Sequence, residues 1–163
     1  MKLTYNQRDI ITAILVYSIG DSIATLILGE FLLTRLLGIA FIGATFYAFE
    51  IPNYFKWIES KTIHKTGIKK SLQKTLLALL YFNPLWVFRH LVFIKLFSYQ
   101  FDFSFKNMLL ISIYSFLVNI PISIFGNFII QNKIKLNNRF LASAIFSALM
   151  AIYYAFSETL FSL

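Results

Sequence analysis

The sequence predicts an all-α fold, a polytopic transmembrane bundle of five helices with its N-terminus inside and its C-terminus outside. Three observations carry that expectation: a lipid-compatible composition, five apolar runs of spanning length, and basic residues gathered in alternate connections. Of 163 residues, 58% are hydrophobic and 13% charged, with a mean hydropathy of +0.71, whereas an ordinary soluble domain carries roughly a quarter charged residues. In water, 19 Phe and 9 Tyr with so little acidic surface would leave apolar patches far larger than a monomer tolerates. A lipid bilayer is the first partner the composition implies.

A helix crossing about 30 Å of hydrocarbon needs roughly 20 apolar residues. Five runs reach that length, at about 10–31, 36–57, 76–97, 108–130 and 140–160. None alternates with the period of a barrel strand, and backbone groups in lipid must pair within their own segment, so the runs read as helices. The whole of 1–163 is read as one transmembrane domain. The first run follows a polar stretch, Met1 to Asp9, has no small-residue cleavage pattern and exceeds the length of a signal-peptide core. It is therefore expected to remain as a span of a prokaryotic plasma (inner) membrane protein. The short connection "EFLLTR" makes the first two spans an antiparallel hairpin.

Charge sets the expected orientation. One side receives Lys2, Arg8, the loop "KWIESKTIHKTGIKKSLQK" and the loop "NKIKLNNR"; the other receives Arg35, Lys95 and Lys106 with Glu30, Asp102 and Glu158. The positive-inside rule then gives N-in and C-out. The lysine-rich loop is read as an orientation signal and solvated face first, and as an anionic-lipid or partner contact second. Although the net charge is +8, the basic residues sit between apolar runs and form no arginine-aromatic surface, which argues against nucleic acid as a partner.

Ionisable and amide residues inside the spans are the candidate site. A carboxylate at mid-bilayer costs about 2.5–3.5 kcal/mol even on a lenient scale, so Asp21, halfway down the first span, demands a partner or water. Glu50 lies in the second span, Asn83, Arg89 and His90 in the third, and Asn119 near the middle of the fourth. The expected pair is Asp21 with Arg89, with Glu50 facing His90 or an aqueous vestibule, all lining a polar path. The competing interpretation is interhelical glue. Pro84 and Pro121 are the expected helix breaks, and Pro52 also lies within a span. Each frees a carbonyl one turn earlier, as in the interrupted helices of transporters. Gly20, Gly38, Gly43 and Gly126 read as close helix contacts, and Trp57, Trp86, Tyr153 and Tyr154 as interface anchors or packing.

Other chemistry is poorly provided for. Cysteine is absent, removing thiolate catalysis, thiolate metal sites and disulfides. Two histidines suffice for neither a metal cage nor a bis-histidine haem. There is no phosphate loop, no HExxH and no clustered triad, so neither an enzyme, a metal nor a cofactor is expected.

Two resemblances bear on function. "TRLLGIAF", "PNYFKW", "TGIKKSLQ", "YFNPLW" and "ISIFGNFIIQNKIK" are similar to the small bacterial L-alanine exporter family, which implies export of a neutral amino acid; that family has four spans. "GDSIAT", "GIAFIGATF", "PISIFGNF" and "YYAFSE" resemble the Mpv/PMP family of small peroxisomal and mitochondrial membrane proteins, which implies a pore for small solutes. There Thr25 stands where that family favours Gln, and Ala44 where it favours Pro. The expectation is thus a transporter or channel for a small polar solute, with a homodimer as its plausible assembly. The rival expectation is an accessory or structural subunit with partners in a larger membrane complex.

Overall fold

The computed structural model describes residues 2–161, with side chains up to Tyr153; the readings of Tyr154 and Glu158 lie outside the described side chains. Every regular element among the described residues is helical. They are α1 (Gln7–Ile27), α2 (Leu33–Ile42), a π-helical turn (Gly43–Tyr47), α3 (Ala48–Lys61), α4 (Gly67–Tyr81), α5 (Pro84–Phe97), α6 (Phe105–Lys133) and α7 (Leu136–Phe161). Taken as continuous stretches, Gln7–Ile27, Leu33–Lys61, Gly67–Phe97 and Phe105–Lys133 are long and apolar enough to cross a membrane. With α7, of 26 residues, the described residues form five long helical segments. Most run three to nine residues beyond the predicted limits, where polar residues flanking the apolar run continue the helix, whereas α1 stops at Ile27, four residues short of the predicted 31, and the third stretch ends at Phe97 as predicted.

Two compact units make up the chain: Tyr54–Arg139, and Lys2–Asn53 together with the stretch from Phe140.

In the unit containing the N-terminal segment, α1 starts at Asn6, whose side chain accepts from the Asp9 N–H at 2.9 Å and satisfies one of the orphan donors of a helix start. Its buried residues, Ala13, Tyr17, Gly20, Asp21, Ala24 and Thr25, recur at helical spacing and form one packed stripe. The helix ends where Gly29 takes φ +70°, with Gly29 N–H donating to Leu26 and Glu30 N–H to Thr25, the closure that favours glycine. That turn sends α2 back against α1, the expected hairpin. Small residues set the contact distances. A Cβ built on Gly20 would lie 2.5 Å from Ala148 Cβ, and one on Gly43 3.2 Å from the Ala13 carbonyl.

The π turn has a sequence cause. Ile39, Gly43, Tyr47 and Ile51 are all buried at strict four-residue intervals, which an α-helix of 3.6 residues per turn would carry off one face. The wider turn takes up the excess. Pro52 follows, its missing N–H and crowded ring disturbing the carbonyl one turn earlier, at Ala48.

In the unit Tyr54–Arg139, α4 and α5 each pack against α6. The apolar stretch 67–97 is divided at Phe82 and Asn83. Asn83 caps α5, its side-chain oxygen accepting from Leu85 N–H at 2.9 Å and Trp86 N–H at 3.1 Å, and Pro84 occupies the first turn, where its lack of an N–H costs nothing. The expected break at Pro121 is not found: α6 runs from Phe105 to Lys133 through it. One lost bond is tolerable in a helix of 29 residues.

Candidate functional site

The predicted site residues fall in different units, with Asp21 and Glu50 in one and Asn83, Arg89, His90 and Asn119 in the other.

Asp21 belongs to the packed stripe of α1, which points its carboxylate into the hairpin. Arg35, in the first turn of α2, meets it there. Arg35 Nη2 lies 2.6 Å from Asp21 Oδ1, and Nε 2.9 Å from Oδ2. The side chains are only 13% and 11% exposed. This is the bidentate fork-to-carboxylate geometry, with both oxygens occupied. The expected pairing of Asp21 with Arg89 is therefore corrected. Its partner is Arg35, read from the sequence as a flanking loop charge. The hairpin turn is short enough to bring Arg35 back beside α1, and its long side chain covers the remaining distance.

Glu50 is half-buried. It lines an open groove of about 470 Å³ with Tyr5, Thr45, Phe46 and Phe49. Tyr5 secures one edge, donating its hydroxyl to the Ala44 carbonyl at 2.6 Å, an acceptor inside the π turn. Nearby, Thr4 and Asn53 exchange two hydrogen bonds.

The other unit holds a feature of which the sequence reading caught only the middle. Along α6, Ser112, Ser115, Asn119, Ser123, Asn127 and Gln131 recur every three or four residues and form a continuous polar seam. Ser112, Asn119, Asn127 and Gln131 are buried. From Ser112 to Gln131 the seam rises about 28 Å at 1.5 Å per residue, close to the ~30 Å thickness of the hydrocarbon. Much of it is answered within the helix. Ser112 Oγ donates to Met108 O, Asn119 Nδ2 to Ser115 O and Asn127 Nδ2 to Ser123 O, at 2.7, 2.6 and 2.9 Å. That leaves the Oδ1 acceptors of Asn119 and Asn127 without a donor among the described residues. Arg89 and His90 are half-buried on α5, which packs on α6, and the His90 ring stacks on Trp86 with centroids 5.6 Å apart. Asn83 serves as the α5 cap described above.

At the Gln131 end of the seam lies a charge cluster also missed from sequence. Lys74 Nζ and Arg139 Nη1 both contact Glu59 Oε2, at 2.6 and 2.8 Å, and each cation is 6% exposed. Arg139 Nη1 reaches Gln131 Oε1 at 3.5 Å, and its Nε donates to the Ile134 carbonyl. From sequence, Lys74 and Arg139 looked like loop charges. The signal for the seam was legible, in the spacing of six polar residues across an apolar run; burial of the two cations has no comparable signature.

Against protein-family models, curated proteins and solved structures alike, the chain finds no match.

Proposed function

We propose that this membrane-embedded helical protein is a transporter or channel for a small neutral polar solute, moving along the α6 seam. The observation that supports this is the length and chemistry of the seam. Uncharged hydroxyls and amides extend over a distance close to the membrane core, and the oxygens of two amides whose nitrogens bond their own helix meet no donor among the described residues. Such a lining replaces the hydrogen bonds that a neutral solute gives up on leaving water, with fixed charge, among the described residues, only at its Gln131 end. The resemblance to the L-alanine exporter family suggests a neutral amino acid as one such solute, whose ammonium donates hydrogen bonds of the kind these amide oxygens accept. Asp21, held at both oxygens by Arg35, has no part in this path. The reading takes the lysine-rich connections as cytoplasmic by the positive-inside rule, which makes the chain N-in and C-out, with a prokaryotic plasma membrane as its proposed setting.

An accessory or structural membrane subunit is the second reading. It draws on Asn132 Nδ2, which donates from α6 to Ser71 O and Thr75 Oγ1 of α4, and on Asp21 closing on Arg35 between α1 and α2, bonds that suit interhelical glue. Solute flux separates the two. Purified protein in liposomes, followed by light scattering after a glycerol or alanine gradient, is expected to show flux above protein-free vesicles. Asn119→Leu is expected to lower it about tenfold, the effect of losing one hydrogen bond of ~1.4 kcal/mol on the barrier. Folded protein with no flux would favour the accessory role.

A further inference from the structure

Nine of the fifteen basic residues lie at one end of the unit Tyr54–Arg139: Lys56, Lys61, Lys65, Lys69, Lys70 and Lys74 before or early in α4, and Lys133, Lys135 and Arg139 at the junction of α6 and α7. Glu59 is the only acidic residue among them. The remaining six basic and six acidic residues of the chain cancel, so this end carries the entire net charge of +8. An orientation signal requires cations in a solvated loop. It does not require two of them buried, and burial of a charge costs free energy unless it is compensated.

We infer that Lys74, Gln131 and Arg139 form a headgroup site for an anionic phospholipid, holding its phosphate at the membrane surface. Three observations converge. Two cations, each 6% exposed, share one carboxylate oxygen, which leaves the cluster one positive charge in excess. Gln131 is fully buried, its Oε1 is turned to Arg139, and its Nε2 has no hydrogen-bond partner, so an amide donor beside that excess charge lacks an acceptor. Arg139 Nη2 and the remaining Lys74 protons likewise donate to nothing among the described residues. A phosphate oxygen accepts from exactly these groups, an ammonium, a guanidinium edge and an amide.

The neighbouring helix start supports the same ligand. Thr66 provides α4 with no side-chain cap, and its first turn carries Lys69 and Lys70. Cations at a helix N-terminus repel the positive end of the dipole, an arrangement that an adjacent anion relieves. A lipid rather than a free anion is the source, because α4 and α6 belong to stretches of spanning length and their ends lie where headgroups lie. Basic pockets between helices on the positively charged side are where such headgroups bind.

The test uses the full chain purified in a neutral detergent, with lipid binding measured by native mass spectrometry. Phosphatidylglycerol is expected to bind at least about fivefold more tightly than phosphatidylcholine, the preference of roughly one cation at the surface. Sodium phosphate at matched concentration is expected not to displace it. Gln131→Leu removes an unpartnered buried amide and should reduce the preference. Gln131→Glu keeps the shape, gives Arg139 a carboxylate and should abolish it. Equal binding of the two lipids would overturn the inference, as would a preference unchanged in both variants, which would signify diffuse surface attraction. Displacement by phosphate alone would also overturn it, since the ligand would then be the free anion.

Discussion

Neutralising Asp21 tests whether the hairpin of α1 and α2 is held by charge. Asp21 and Arg35 are 11% and 13% exposed and are joined by contacts of 2.6 and 2.9 Å. Removing one partner of such a buried pair strands the other charge and costs about 3–5 kcal/mol. Two features reduce that figure. Asn retains an acceptor for one of the two contacts, and Arg35, in the first turn of α2, can extend toward the headgroups. Asp21→Asn is therefore expected to destabilise the protein by about 2–3 kcal/mol and Asp21→Leu by about 3–5 kcal/mol. The double variant Asp21→Leu/Arg35→Leu should recover much of the loss, because removing both charges also removes their desolvation cost. Equilibrium unfolding in mixed micelles, followed by circular dichroism, measures all three. Flux per folded molecule should remain unchanged in Asp21→Asn. A loss below about 0.5 kcal/mol would refute the clamp. So would a double variant as unstable as the sum of its parts, while a collapse of flux in a fully folded variant would return Asp21 to the solute path.

Gly20→Ala places a methyl against Ala148, and the clash with its Cβ at 2.5 Å and Cα at 2.9 Å should cost about 1–3 kcal/mol in the same unfolding assay; adding Ala148→Gly should restore only part, since the backbone contact persists. Asn83→Ala removes the acceptor for Leu85 and Trp86 and should cost about 1 kcal/mol, with flux per folded molecule unaffected if Asn83 is a cap alone.

The helices were legible because hydrocarbon imposes a length on them and the composition announces hydrocarbon. The hairpin followed from the short connection around "EFLLTR", and the break before Pro84 from an Asn-Pro pair. Tertiary pairing was not legible in the same way. Asp21 visibly required a cation, yet Arg35 and Arg89 were both available, and the choice depended on the depth to which a helix start carries its arginine. Asn119 stood out as a single polar residue, although its meaning lies in Ser112, Ser115, Ser123, Asn127 and Gln131 on the same face. Pro121 shows the opposite error: proline signals a lost hydrogen bond, and whether the helix ends there depends on how many others remain.

The π turn at Gly43–Tyr47 acts as a vernier between two windings. Each residue of an α-helix advances about 100°, so winding these same residues as a regular helix, without the wider turn, would rotate the downstream half by about that angle. Ile51 and Asn53 would swing away from the neighbours they now meet, Asn53 from Thr4 among them. The wider turn thus absorbs one surplus residue, and a deletion within it that restored a regular winding would leave Ile51 and Asn53 facing much as they do now.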